Sequence, residues 1–280
     1  MKIFNSIKEI RKEISREKQK GFTVGLVPTM GYLHEGHLSL IKKARRDSDV
    51  VVVSIFVNPV QFGPKEDYRK YPRNLKRDAG LCEKEGVDYI FSPSPKSMYP
   101  VDYSTFVCVE GLTENLCGKF RPGHFKGVAT VVSKLFNIIE PDFAYFGQKD
   151  AQQAIAIKRM ARDLNMGAKV KIMPTVRDAD GLAMSSRNIY LSPKERGKAP
   201  TIYRALQEAR NLIKLGERNS NRIISKIRVK LLPAVTKIDY ISVVDLSTLK
   251  DIKVIKSGVL IAAAVWMGQT RLIDNIIVKG

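Results

Sequence analysis

Through the first 175 or so residues, short β-branched runs alternate with helix-patterned segments, and this alternation constrains the fold more than any other feature. Residues 50–57 read VVVVSIFV, a continuous apolar run of the kind found in strands covered on both faces. Residues 23–27 form a shorter strand pattern ending at Pro28, and 87–91, 143–146 and 170–173 continue the series, with 105–109 as a further strand. Helical periodicity fills 34–46, 75–85, 127–139 and 151–164 between them. The pattern predicts an α/β fold with a doubly wound parallel, Rossmann-like sheet.

Past Thr175 the pattern changes. A polar loop over 177–188 leads to Ser192-Pro193, an N-cap with proline at the first helical position. Helical segments run to about residue 232, and strands are expected over 238–245, 259–267 and 271–278. The expected division is a Rossmann-like domain over 1–176, a linking loop over 177–188 and a smaller α+β domain over 189–280.

At the N-terminus Ile3, Ile7, Ile10 and Ile14 recur at helical spacing among acids and bases. That reads as an amphipathic helix, neither a signal-peptide core nor an acid-poor transit peptide. The longest apolar run, 259–267, is short of the roughly 20 residues that span a bilayer, so no membrane partner is expected. The three cysteines, Cys82, Cys108 and Cys117, form no C-x-x-C pair, which argues against a disulfide framework and suits a reducing cytoplasm. With 48 Lys and Arg against 28 Asp and Glu, the net charge is +20. That excess suits an anionic partner or simply a solvated basic surface, since the bases are scattered beside acids.

The chemistry concentrates at residues 28–40, PTMGYLHEGHLSL, which follow a strand and open a helix. Ligands bind at the carboxyl ends of strands in such sheets, and N–H groups at a helix start favour phosphate. His34 and His37 are three apart, so both can reach one side of the first turn, donate to phosphate oxygens and stabilise charge during displacement at phosphorus. A zinc role lacks a third ligand and the H-E-x-x-H pattern. Only three histidines occur in the chain, so two in one turn are unusual for purely structural residues.

His34-Glu35-Gly36-His37 resembles the HIGH-type signature of nucleotidyltransferases, and the longer string from Pro28 to Leu38 resembles the pantothenate synthetase (pantoate–β-alanine ligase) family. Four blocks extend the resemblance: SIFVNPVQF over 54–62, RPGHFKG over 121–127, FGQKDAQQ over 146–153 and MSSRN over 184–188. The family implies ATP as substrate with magnesium, pantoate and β-alanine as the other substrates, an adenylate intermediate and a homodimer.

Residue by residue, the resemblance places Met30, Gly31, Tyr32, Leu33, His34, Glu35, Gly36 and His37 around ATP. It adds Gly147, Gln148, Lys149, Asp150, Val176, Met184, Ser185, Ser186 and Arg187, with 177–188 as a mobile clamp. Val176 would touch adenine, and Lys149 and Arg187 the phosphates. His34, His37, Lys149 and Arg187 are the expected catalytic groups. Gln61 and Gln153 would bind pantoate, and Gln61 would lie near β-alanine.

Asn58 and Gln61 follow a buried strand, so both amides are expected to face the crevice and recognise hydroxyls or carboxylates without charge. Arg121 and His124 read either as groups near the pantoate carboxylate or as a turn. Asp78 reads either as a magnesium ligand or as an exposed helix acid. A nucleic-acid binder related to synthetases is the rival class, but no anticodon-type domain or concentrated basic stripe is visible, and no nucleic acid partner is expected. A cytidylyltransferase is disfavoured by the 56–62 and 184–188 blocks.

Overall fold

The computed structural model describes residues 1–64 and 66–279. The chain begins with β1 (Lys2–Phe4), α1 (Ile7–Gln19), β2 (Val24–Thr29), α2 (Glu35–Asp47), β3 (Val50–Ile55), α3 (Leu75–Lys84) and β4 (Tyr89–Phe91). It continues through α4 (Pro95–Met98), α5 (Cys117–Phe120), α6 (His124–Ile139), β5 (Phe143–Gly147), α7 (Ala151–Asp163) and β6 (Lys169–Met173). It closes with α8 (Pro193–Lys198), α9 (Thr201–Lys214), α10 (Ser220–Leu231), β7 (Lys237–Asp245), β8 (Val259–Met267) and β9 (Thr270–Val278).

Two compact units result. One comprises Met1–Val109, Arg121–Gly147 and Gln153–Pro174; the other comprises Glu110–Phe120, Gln148–Gln152 and Thr175–Gly280.

The first unit holds a six-stranded sheet in the order β1-β4-β3-β2-β5-β6, parallel throughout. Strand order runs outward from β2 to β4 and then reverses to β5, so the switch point lies between β2 and β5. The apolar run of β3 is covered on both sides, as its composition requires. Val50 and Val52 pack with Ile10 and Ile14 of α1 and with α6. Val51 and Val53 pack with Ile41 and Ala44 of α2 and Cys82 of α3. Burial pushes the Cys82 thiol up to about 12, with help from Asp78 nearby, so it serves as core filling.

Two local expectations are corrected. The helix begins only at Ile7, capped by Ser6, while residues 2–4 add a parallel edge strand to β4 and Ile3 is exposed. The open ladder of β4 outweighs helical periodicity there. Residues 105–109 form no strand: Val107 N–H donates to Thr130 Oγ1 of α6 at 3.0 Å, and Val107 and Val109 pack on the core as a covering loop.

The second unit holds an antiparallel sheet, β7-β8-β9, against which α9 and α10 lay their apolar faces. Ser192 and Glu195 form the capping box of α8, with Pro193 at its first position. β9 carries three buried polar residues, Thr270 at its start and Asp274 and Asn275 within its apolar run, each 4% exposed.

Candidate active site

The two histidines close the N-terminus of α2 with their own side chains. His34 is the N-cap, and its Nδ1 accepts from Gly36 N–H at 3.1 Å. His37 reaches back, and its Nδ1 accepts from His34 N–H at 3.3 Å. This is a capping box in which imidazoles replace the usual hydroxyl and carboxylate. The ring centroids lie 4.1 Å apart. A ring nitrogen that accepts carries no proton, so each ring is held as the tautomer whose donor is Nε2–H. The site sits beyond Thr29, the carboxyl end of β2, at the sheet's switch point.

The turn between β2 and α2 is held by a buried carboxylate. Asp78 of α3, 1% exposed, accepts from Tyr32 N–H at 2.6 Å and from Leu33 N–H at 2.8 Å, one on each oxygen. Thr29 Oγ1 donates to Ser54 O at 2.8 Å and accepts from Gly31 N–H at 3.1 Å. Gly31 has φ +84°, and a side chain there would also crowd Ile55 and Asp78. Asp78 is therefore a buried anchor for the turn, not an exposed acid. Among the described residues no group of three or more His, Cys, Asp or Glu could hold a metal ion, and the donor set does not fit a protein-built magnesium cage.

After β3 the chain turns through Pro59–Gln61, where the two amides part company. Asn58 is 1% exposed and fully used, which corrects the expectation that it faces a crevice. Its Nδ2 donates to Gln61 Oε1 and to Gly127 O, each at 3.1 Å. Its Oδ1 accepts from Tyr99 O–H at 2.9 Å and from Val60 N–H at 3.3 Å. With Oε1 held, Gln61 aims Nε2 at the Met30 thioether 3.2 Å away, a weak acceptor that a ligand oxygen would outcompete. Gly127 of α6 touches the same turn: a Cβ there would lie 2.5 Å from Val60 O.

Arg121 and His124 do not present open charges. Arg121 forks onto Glu66, and His124 bonds both Arg121 and the Gln61 carbonyl. Burial would raise the Glu66 carboxyl, but the hydrogen bonds and charge of Arg121 hold it below the usual range.

In the second unit Gln148–Asp150 forms a single 3₁₀ turn. Asn275 of β9 donates Nδ2 to Gln148 O and Lys149 O, each at 2.9 Å, and accepts Gln148 Nε2 at 3.3 Å. Lys149 Nζ lies 3.8 Å from Asp150. Asp274 receives a bidentate Arg177 at 2.7 and 2.9 Å; burial pushes its carboxyl up, and Arg177 opposes that shift. Gln152 binds Cys117 N–H at 2.9 Å and the carbonyls of Leu112 and Asn115 at 2.9 and 2.7 Å.

The residues expected to clamp phosphate follow a short hairpin. Met184 N–H donates to Val176 O at 3.1 Å, and Arg177 bridges Ala183. Ser185 caps the 3₁₀ turn Ser186–Tyr190, accepting from Arg187 N–H at 3.3 Å. Arg196 ties the hairpin down through Asp178 and Asp180. Gln153 follows in the first turn of α7, in the first unit.

Thr29 and Gly127 lie within the 28–38 and 121–127 blocks but were given no role, and Asp274 and Asn275 lie outside every motif. Asp274-Asn275 inside an apolar strand was the one visible signal.

Such a sheet, with a capped helix mouth at its switch point, defines a nucleotide-binding α/β protein of the doubly wound class. A pantoate-beta-alanine ligase family profile matches residues 2–277, and the chain belongs to that family. It is 54% identical to pantothenate synthetase of Moorella thermoacetica over 100% of this chain and 99% of that one. It is 56% identical to that of Pseudothermotoga lettingae over 99% of each. Among solved structures, pantothenate synthetase from Thermus thermophilus superposes with TM-score 0.93 at 46% identity over 99% of both chains. Pantoate-beta-alanine ligase from Francisella tularensis, complexed with beta-gamma ATP and beta-alanine, gives 0.79 at 36% identity, over 99% of this chain and 97% of that one.

Proposed function

We propose that this protein condenses pantoate with β-alanine at the expense of ATP, giving pantothenate, AMP and pyrophosphate. The reading is carried by the imidazole capping box, which directs two neutral Nε2–H donors from one helix mouth. ATP enters as its magnesium complex, with the phosphates supplying ligands to the ion.

In the first step a pantoate carboxylate oxygen attacks the α-phosphorus, the bond to the bridging oxygen breaks, and pyrophosphate leaves. His34 and His37 donate to the phosphate oxygens as charge builds. Lys149, Ser185, Ser186 and Arg187 neutralise the departing pyrophosphate. Residues 30–33 form the turn beside the nucleotide, with Glu35 and Gly36 at the helix mouth, and Val176 and Met184 serve the base. Gly147, Gln148 and Asp150 flank Lys149. In the second step the β-alanine amine attacks the pantoyl carbonyl carbon, AMP leaves with the bond pair, and the amine proton is lost. Gln61 and Gln153 orient pantoate, and Gln61 also meets β-alanine.

No covalent enzyme intermediate is required, because adenylation itself supplies the leaving group. The anhydride must be shielded from water, which would hydrolyse it. The three cysteines are free, which suits a cytoplasmic enzyme; a homodimer is the expected assembly. No helix among the described residues is long and apolar enough to cross a membrane.

Purified protein with magnesium, ATP, pantoate and β-alanine should release AMP only when both organic substrates are present. Pantoate carrying heavy oxygen in its carboxylate should pass one label to AMP. Label-free AMP would refute the adenylate route, and AMP formation indifferent to pantoate would refute the activity.

A further inference from the structure

Glu66, Arg121 and His124 form a hydrogen-bonded chain that ends on the backbone of Gln61, and no step above employs them. Arg121 Nε donates to Glu66 Oε1 at 2.7 Å, and Nη2 donates to Oε2 at 2.5 Å. Nη1 lies 3.0 Å from His124 Nε2. A guanidinium has only donors, so Nε2 accepts and the ring proton belongs on Nδ1. Nδ1 lies 2.9 Å from the Gln61 carbonyl oxygen, which only accepts. The tautomer is thus set from both ends, opposite to that of His34 and His37. His124 is 8% exposed.

Gln61 is held at two points by this arrangement: its carbonyl by His124 and its Oε1 by Asn58. What remains to be directed is Nε2. The Arg121 fork is already occupied by a carboxylate of the protein, so a second carboxylate from a substrate would have to displace Glu66.

We propose that Glu66, Arg121 and His124 are positioning residues that aim the Gln61 amide, and that they act on pantoate only through Gln61. This rests on Gln61 binding pantoate in the function proposed above. The alternative roles, a direct charge for the pantoate carboxylate or a mere fold support, make different kinetic predictions.

The test uses the full-length protein and two substitutions. His124→Asn puts an amide donor where Nδ1 stood, so the bond to Gln61 survives; His124→Gln puts it where Nε2 stood, so that bond is lost. His124→Gln should raise KM for pantoate about tenfold, the scale of one lost hydrogen bond. KM for ATP should stay within about twofold, and His124→Asn should remain near wild type. Equal damage by both variants, or parallel changes in every kinetic constant, would overturn the proposal. So would an unchanged KM for pantoate in His124→Gln.

Nitrogen NMR of the wild-type ring gives a readout independent of turnover. It should show the neutral Nδ1–H tautomer, and an Nε2–H or doubly protonated ring would overturn the chain directly. A wild type that makes no pantothenate yet shows that tautomer would defeat the function and leave the hydrogen-bonded chain standing.

Discussion

Gly127→Ala should damage catalysis through a turn that the mutated residue only touches. In α6 the added Cβ would lie 2.5 Å from Val60 O and 2.6 Å from both Val60 C and Gln61 N. These are main-chain atoms, so no side chain can swing away. Backing off to ordinary contact near 3.4 Å moves the turn by close to an ångström. Overpacking of this kind costs about 1–3 kcal/mol. The turn carries Gln61, and a shift of about 1 Å in a positioning group is worth about 100-fold in rate. The assay is kcat/KM for pantoate at saturating ATP and β-alanine, alongside thermal unfolding. Gly80→Ala in α3 is the control: its Cβ would meet nothing within 4 Å, and replacing a helical glycine by alanine gains about 0.5–1 kcal/mol. If Gly127→Ala kept wild-type kcat/KM and unfolded like the control, the close approach would have no functional weight.

His37→Ala and Lys149→Ala should each lose at least about 100-fold in kcat, the scale of a missing transition-state donor. His37→Ala should also lose about 0.5–2 kcal/mol of stability with its cap, so a rate loss without a shift in Tm would contradict the capping box. Asp78→Asn should destabilise the protein without changing the magnesium concentration for half-maximal rate; a selective shift there would restore Asp78 as a metal ligand. Asp245 accepts from Ser247 and Thr248, and these bonds depress its carboxyl to about 2. A depressed acid contributes stability above its unfolded pKa of about 3.9 and loses it as pH falls through the folded value. Asp245→Ala should therefore flatten the acid limb of a stability–pH curve between about pH 4 and about pH 2, and an unchanged limb would contradict the assignment.

The parallel sheet was legible because its evidence is periodic and local. VVVVSIFV reads as a doubly covered strand in isolation, and the structure buries it so. His34 and His37 were legible for the same reason, being one helical turn apart. What stayed hidden was pairing at a distance. Asp78 reaches Leu33 across 45 positions and Arg121 reaches Glu66 across 55, and no local pattern reports either partner. β1 was hidden because three residues cannot outvote helical periodicity until the open edge of β4 is present to receive them. Asn58 looked like a recognition amide because composition cannot tell a saturated amide from an open one.

Buried, saturated side chains recur behind the residues proposed to touch substrate. Asp78 holds the 30–33 turn, Asn58 holds Gln61, and Asn275 holds the Lys149 turn. Each commits at least one hydrogen bond to that main chain or amide, so the groups it fixes need not reorganise when charge develops, which is the condition under which fixed dipoles accelerate a displacement most. The same logic divides the work between the histidines and the cations. Because both Nδ1 atoms accept N–H bonds from the helix start, adding a proton there would break the cap. The imidazoles are thus restricted to neutral donation through Nε2–H. Positive charge for the pyrophosphate of the proposed reaction is therefore assigned to residues without that obligation, Lys149 and Arg187.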